Sequence, residues 1–415
     1  MMRVVRQRNF ALLWSAGLLS MLGDWAFYTI MPVFVLDRTG SVFWAGIVWA
    51  VIALSSVVVG PIAGVYADRW DRRRIMLVGN GAQAMAALVL AAAGTSVGIW
   101  LAMTVLLVNV SLAMSLLPAE NALLPTLVEV DDLAPANALN AMNDNLGRIV
   151  GPPVGALIYP RWGIDAVAGF NALSFLAAAV LVRQVRPAGN VRSGRPAGGS
   201  GHEPFWPSLR AGVRIVRGRR VLGVLFLIFG LVAFADGPLA AMIAPYIDTT
   251  LEQGVEGVGL FATIRGVGGL LGAFVIGQIS RQVREDRLLI ASAALNGLGF
   301  AAMALVGNFA VACVILLLVI GPTHIGLHTT LTTLLQRGSD DAHRGRVFSL
   351  LGALTGVLFL VGALGGSALG AWLSPPAVIV GSGVLFVVTA VIAMLLLPSV
   401  LAAARLQAAP AGDGV

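Results

Sequence analysis

The sequence predicts an all-α membrane protein with twelve transmembrane helices in two pseudo-symmetric six-helix bundles. Hydrophobic residues make up 58% of its 415 residues and charged residues 11%, whereas a soluble domain has roughly 25% charged residues. The mean hydropathy is +0.89. Twelve apolar runs approach the ~20 residues that a helix needs to cross a membrane, and mostly short polar connections separate them.

The predicted helices are numbered 1 to 12 along the chain, and each is one of these apolar runs. They are Phe10–Val35, Val42–Tyr66, Ile75–Ala93, Ile99–Pro118, Asn137–Tyr159, Asp165–Val182, Val221–Ile247, Val258–Ser280, Leu288–Val306, Ala310–Leu335, Val347–Leu373 and Ala377–Leu397.

Arginines predict the orientation of these helices. If twelve helices alternate in direction, the arginines of the connections fall on one side of the membrane, and only Arg38 and Arg161 lie on the other. Positively charged connections face the cytoplasm, so we expect a multi-pass protein of the cytoplasmic membrane with both termini in the cytoplasm. The net charge of +7 therefore indicates topology and contact with membrane lipids, not a nucleic-acid partner.

The two halves of the chain look like repeats. Gly23-Asp24 in helix 1 corresponds to Asp236-Gly237 in helix 7, and two acidic residues follow both helix 4 and helix 10. An amphipathic pattern after the central linker predicts a helix on the membrane surface, or an extension of helix 7. The expected parts are an N-terminal bundle (1–183), a cytoplasmic linker (184–203), an interfacial helix (204–219), a C-terminal bundle (220–400) and a cytoplasmic tail (401–415).

Ionisable side chains within the spans are candidate functional residues, because a charge inside a bilayer is costly. Asp24 is a candidate proton carrier or cation site, or it is an acid satisfied by the backbone or Tyr28. Asp236 is its counterpart, or it caps a helix break at Pro238. Arg265 on helix 8 is expected to reach Asp236 or Asp24.

Two pairs of residues lie four positions apart and therefore share a helix face. Asp144 and Arg148 on helix 5 are expected to form an ion pair, either permanent or opened by protonation or substrate. His324 and His328 on helix 10 have the spacing of metal ligands, but the sequence supplies no third ligand, so we assign no metal. They are expected to face a cavity or to be hydrogen-bonded in the packing.

The connection between helices 2 and 3 carries a motif. Gly64, Asp68, Arg69, Arg72 and Arg73 form a G-x-x-x-D-R-x-x-R-R pattern that resembles the signature loop of the major facilitator superfamily of transporters, with Asp71 where that family usually has glycine. The alternative is a basic loop that only sets topology. The resemblance implies a cytoplasmic gate in which Asp68 meets the start of helix 11, and Arg72 and Arg73 are expected to pair with Glu120.

A second motif lies in helix 5. Gly147, Gly151, Pro152 and Gly155 form a G-x-x-x-G-P-x-x-G pattern that resembles the antiporter motif of exporters in the same superfamily. Glycines four apart allow helices to approach closely, so the helix is expected to act as a pivot. Ordinary packing of small residues is the alternative.

The chain as a whole is similar to the superfamily's bacterial branch of macrolide effluxers and the enterobactin exporter. This resemblance implies a transporter and not an enzyme: a proton-coupled antiporter that exports a bulky amphipathic compound by alternating access. We expect the protein to be a monomer. It needs no cofactor, because the proton motive force drives it. An arginine that many such antiporters carry in helix 4 is missing here. A lipid or lysolipid flippase and an importer of a small nutrient remain open alternatives.

Overall fold

The computed structural model describes residues 2–67, 71–94, 98–186, 205–280, 282–340 and 343–408. Eleven helices in this part of the chain are long and apolar enough to cross a membrane. The all-α membrane fold is therefore confirmed. The helices are α1 (Arg8–Thr39), α2 (Val42–Ala67), α3 (Arg72–Ala92), α4 (Ile99–Leu123), a long helix Leu133–Gln184, α7 (Arg220–Pro245), α8 (Gly254–Ile279), α9 (Glu285–Val306), α10 (Phe309–Gly338), α11 (Arg344–Gly370) and α12 (Pro375–Ala408).

The long helix Leu133–Gln184 contains two of the twelve predicted crossings. Gly163 has φ 77° and ψ −174°, a conformation that is essentially restricted to glycine, and it divides the helix into α5 (133–162) and α6 (164–184). Contacts with α1 show that the chain reverses direction at Gly163. Successive residues of α5 contact α1 progressively closer to its C-terminus, whereas successive residues from α6 onward contact it progressively closer to its N-terminus. The contact pairs are Asn143–Trp14 and Gly155–Ala26 for α5, Ser174–Gly23 for α6, and Arg186–Asn9 just after the end of α6.

Contacts divide the chain into two units. Unit N contains the described residues of 1–201 together with 247–266, and unit C contains those of 202–246 and 267–415. The start of α8 thus packs with unit N. The predicted bundle boundaries stay a prediction, and positions 187–203 of the predicted linker lie outside the described residues.

Helix α1 is the centre of unit N. It packs against α5 and α6 along most of its length, and Phe27, Ile30 and Phe34 are buried in a cluster with Leu106 of α4 and Val167 of α6. Burying a side chain of this size stabilises the fold by about 1.5–3 kcal/mol in water. Within a membrane, close packing takes over part of that role. The core therefore fixes the polar groups of α1 in position.

In unit C, helix α7 takes the corresponding central place, packing against α11 and α12. Residues Phe205–Gly218 form a separate helix, in which Gly212 lies against Arg346 and Leu350 of α11. Its position on the membrane surface stays a prediction.

The acidic residues after α4 and after α10 have equivalent contacts. In unit N, Gln7 donates a 2.8 Å hydrogen bond to Asp132, and Arg3 pairs with Glu129 at 2.9 Å. In unit C, Arg219 forms an ion pair with Asp340, and this hydrogen bond holds the pKa of Asp340 below its usual range. In both units, the acids hold the segment that precedes the unit's central helix.

Candidate functional site

Asp24 lies in the interior of unit N. Only 3% of the residue is exposed, and its carboxyl lies beside the side chains of Tyr28 and Asn171. The Oδ1 atom is buried and has no hydrogen-bond partner among the described residues. Tyr28 therefore satisfies the hydrogen-bonding capacity of the Asp24 carboxyl only in part, and one carboxyl oxygen remains available to a proton or a ligand.

Two adjoining cavities open beside Asp24 in unit N. The first, of about 40 Å³, is lined by Asp24, Glu120 and amide side chains of α3. The second, of about 220 Å³, is lined by Glu120, Asp144 and several asparagines. A water occupies about 30 Å³ of liquid volume, so the first cavity holds about one water and the second holds several. Glu120 therefore lines both cavities, whereas Asp24 lines only the first and Asp144 only the second.

Glu120 has a different environment from the one predicted. Arg72 donates to the backbone carbonyl of Ala122 at 2.7 Å, and Arg73 donates to the carbonyls of Val182 and Arg183. The expected pairing of Arg72 or Arg73 with Glu120 is therefore absent. Glu120 is 8% exposed and faces the cavities instead. Backbone carbonyls at the ends of α4 and α6 attract these arginines because helix C-termini are negatively polarised.

The ion pair of α5 is confirmed, and it has a third member. Arg148 Nε lies 2.9 Å from Asp144 Oδ2, with both side chains about half exposed. Trp25 of α1 donates a 3.1 Å hydrogen bond from Nε1 to Asp144 Oδ1. The guanidinium of Arg148 lies 4.6 Å from the centre of the Trp25 ring. The ring of Trp25 therefore contacts both members of the pair.

The glycine motif of α5 packs directly on α1. A Cβ atom at Gly151 would lie 2.9 Å from the carbonyl oxygen of Leu22, and one at Gly155 would lie 2.6 Å from that of Ala26. Gly147 contacts Trp25 and Met21, and Pro152 lies against Gly259 of α8. Any larger side chain at the three glycines would push α5 away from α1.

A second proline within this motif leaves a backbone acceptor that α8 satisfies. Pro153 has no N–H, so the carbonyl of Ile149 loses its helical hydrogen bond. The hydroxyl of Thr263 lies 3.0 Å from that carbonyl oxygen, and it also lies 3.1 Å from the carbonyl of Gly259 in its own helix. Thr263 was not a candidate from the sequence, because nothing in it indicates which helix faces Pro153.

Asp236 of unit C faces the two histidines of α10. Its carboxylate oxygens lie 4.0 Å from His324 Nδ1 and 3.6 Å from His328 Nε2. The expected helix break at Pro238 is absent, because α7 continues to Pro245. The carbonyl of Phe234, which Pro238 leaves without its helical partner, faces Gly362 of α11 instead.

The remaining predicted residues are only partly described. Asp68 and Arg69 lie outside the described residues, and Gly64 lies within α2. Asp71, the residue that departs from the motif, caps α3 by accepting a 2.7 Å hydrogen bond from the N–H of Arg74. Arg265 is exposed on the part of α8 in unit N, and its pairing with Asp236 or Asp24 stays a prediction.

The sequence profile of the Major Facilitator Superfamily matches residues 13–339 and 225–411, which together cover nearly the whole chain. The chain belongs to this superfamily. It is therefore a transporter, and the resemblance noted in its two motifs is confirmed at the level of the family.

Two named relatives match most of this chain. Macrolide efflux protein A of Streptococcus pyogenes is 25% identical over 374 residues, which cover 86% of this chain and 88% of the relative. The multidrug efflux pump Tap of Mycobacterium bovis is 27% identical over 363 residues, covering 84% and 83%.

Solved structures of other transporters share the fold. An inward-facing bacterial homologue of the human lysosomal transporter Spinster aligns with a TM-score of 0.72 and 14% identity, over 95% of this chain and 98% of the other. An inward-facing bacterial homologue of the iron transporter ferroportin aligns with a TM-score of 0.73 and 17% identity, over 93% and 98%. At these identities the likeness concerns the fold alone.

Proposed function

We propose that this transporter is a proton-coupled antiporter that exports a bulky amphipathic compound of drug-like or siderophore-like kind by alternating access. The similarity to Macrolide efflux protein A and to the pump Tap supports the direction and the substrate class. The arginine-rich connections support a cytoplasmic membrane location with both termini inside. The observation that carries the proton coupling is the buried carboxyl of Asp24.

Asp24 is suited to bind a proton that competes with substrate. An ionised carboxylate away from water is costly unless a counter-charge or several hydrogen bonds compensate it. The groups beside Asp24 are a phenol and an amide, which are neutral, and its Oδ1 atom has no hydrogen-bond partner in the described part of the chain. A proton or a cationic part of the substrate would therefore neutralise it.

The cavities beside Asp24 offer a route for this exchange. Glu120 and Asp144 line the space that adjoins Asp24, together with asparagine side chains that can order water. Water bridging polar groups conducts protons between them, and carboxylates in series form relays in many transporters. In this proposal Glu120 passes protons, and the ion pair of Asp144 with Arg148 opens when Asp144 is protonated.

The contacts of α5 suit a pivot. Its glycines allow it to lie directly on α1, while Ile149 and Pro152 contact Thr263 and Gly259 of α8. Small residues at such contacts let one helix roll or slide on another without breaking side-chain packing. We propose that rocking about this helix exposes the cavities to one side of the membrane at a time.

The test is transport of a macrolide in vesicles that contain the purified protein. A pH gradient is imposed in either direction, and an ionophore that collapses the gradient serves as the control. We expect macrolide movement against an inward proton flow, its abolition by the ionophore, and its loss in Asp24→Asn but not in Asp340→Asn, an exposed acid outside the cavities. Transport that ignores the gradient would contradict antiport and favour a facilitator or flippase, and movement in the same direction as protons would indicate an importer.

A further inference from the structure

Three side chains that ligate metals converge in unit C. His324 and His328 lie on one face of α10, and their ring centres are 4.6 Å apart. Asp236 of α7 lies opposite, and one ligand atom from each of the three residues lies within 4.8 Å of the others. The spacing in the sequence indicates His324 and His328 as possible ligands, and the structure adds Asp236 as the third.

The distances in this cluster are longer than hydrogen bonds and would need only a small inward movement to hold a cation. The imidazole nitrogens lie 3.6 and 4.0 Å from the carboxylate oxygens, which exceeds a normal N–H···O distance of about 2.7–3.2 Å. Ligands about 2.0–2.1 Å from a tetrahedral zinc ion lie roughly 3.3 Å apart. The Nε2 atom of His328 is buried and has no hydrogen-bond partner in the part of the chain that the structure describes.

We propose that Asp236, His324 and His328 form a binding site for a divalent transition-metal cation such as Zn²⁺. Two imidazoles and one carboxylate suit borderline cations of this class, whereas Mg²⁺ and Ca²⁺ prefer oxygen ligands alone and Cu⁺ prefers sulfur. Three protein ligands leave a fourth position open to water or to another ligand. The side chains are 16–42% exposed, so a cation from solution can reach them.

The backbone of α10 helps to place the two histidines. Residues Leu316–Ile320 form a π-helical turn just before them. Such a turn adds a residue to the helix and rotates everything that follows by about 100°. His324 and His328 consequently face α7 in the register that the structure shows. A bound cation would tie α7 to α10 within unit C.

The test is Zn²⁺ and Co²⁺ binding by the full-length protein, purified in detergent with an affinity tag free of histidine and treated with a chelator. We expect saturable binding of about one Zn²⁺ per chain and a visible absorption band of tetrahedral Co²⁺. His324→Ala, His328→Ala and Asp236→Asn should each weaken binding by at least about tenfold. His343→Ala, at a histidine outside the cluster, is the matched control and should leave binding unchanged.

Three results would overturn the proposal: no saturable binding by the wild-type chain, binding retained when both His324 and His328 are replaced, or binding lost in His343→Ala. Elution of each variant as a single species in size-exclusion chromatography separates loss of a ligand from misfolding, and His324→Gln provides a second, milder variant. The assay uses no transport substrate and no proton gradient. Metal binding can therefore fail while the proposed export stands, and the reverse also holds.

Discussion

Asp24 and Asp236 occupy matching places in the two sequence repeats, yet their surroundings differ. Asp24 is 3% exposed and lies beside neutral groups, Tyr28 and Asn171. The side chain of Asp236 is 16% exposed and faces two imidazoles. The repeat reproduces the position of the acid on the central helix of each unit, whereas neighbouring helices supply the partners that decide its chemistry.

The glycines next to the two acids differ in the same manner. A Cβ atom at Gly23 would overlap the side chains of Asn171 and Ser174 on α6. A Cβ atom at Gly237 would overlap the backbone of Ala363 on α11 and lie 2.5 Å from the carbonyl oxygen of Phe359. At Gly23, α1 thus meets polar side chains of α6, whereas at Gly237, α7 meets the backbone of α11.

The largest expected effect separates the two acids. Asp24→Asn removes the proposed proton site while preserving shape, so macrolide export should fall to the background level of cells that lack the transporter. Asp236→Asn should retain most of the export, because its carboxylate serves a metal site in this account. Macrolide accumulation in cells that express equal amounts of each variant measures the difference. Equal losses in the two variants would remove the distinction.

Replacing Gly23 or Gly237 with alanine tests the difference in packing between the two central helices. Gly237→Ala forces a methyl group against backbone that cannot rotate, and we expect a destabilisation of about 1–3 kcal/mol. Gly23→Ala meets side chains that can turn aside, so its effect should be smaller. Thermal unfolding in detergent measures both, with Gly223→Ala as the control because a Cβ there meets nothing within 4 Å. A larger effect at Gly23 would reverse the argument.

In each unit, a proline leaves a backbone carbonyl without its helical hydrogen bond, and the group that faces this carbonyl differs between the units. Thr263 lies within hydrogen-bonding distance of the carbonyl of Ile149 beside Pro153, whereas the carbonyl of Phe234 beside Pro238 faces a glycine. Thr263→Val should destabilise the protein by about 0.5–1.5 kcal/mol, and Thr263→Ser should restore the stability. A thermal shift as large in Thr263→Ser as in Thr263→Val would show that packing, and not the hydroxyl, is responsible.

The smallest effect concerns the exposed ion pair of Arg219 with Asp340. Its hydrogen bond lowers the pKa of Asp340 in the folded protein, so the contact stabilises the fold above the unfolded pKa of about 3.9. This stabilisation is lost as the pH falls through the lower folded pKa. The unfolding midpoint of Asp340→Asn should lie slightly below that of the wild type at neutral pH and merge with it in acid. A gap that persists in acid would assign the effect to another contact.

Features that depend on local spacing could be predicted from the sequence. Apolar length predicted the helices, and a separation of four positions predicted the pair of Asp144 with Arg148. The reversal at Gly163 followed from two apolar runs with a polar gap between them. Each of these is determined within one or two turns of chain, where the geometry of a helix leaves few alternatives.

Features that depend on which helices are neighbours could not be predicted. Trp25 reaches Asp144 across 119 positions, and the histidines of α10 meet Asp236 across about 90 positions. Glu120 was expected to attract arginines by charge, but the helix-end carbonyls nearby attract them first. A single sequence carries no direct signal for such contacts, because they are set by the packing of whole helices.

The most direct test of the difference between the two acids is proton release from the purified protein in weakly buffered detergent when a macrolide is added. The account predicts release by the wild-type chain and by Asp236→Asn, and none by Asp24→Asn, although all three bind the macrolide. Release that survives in Asp24→Asn and disappears in Asp236→Asn would place the exchange in unit C and contradict the account.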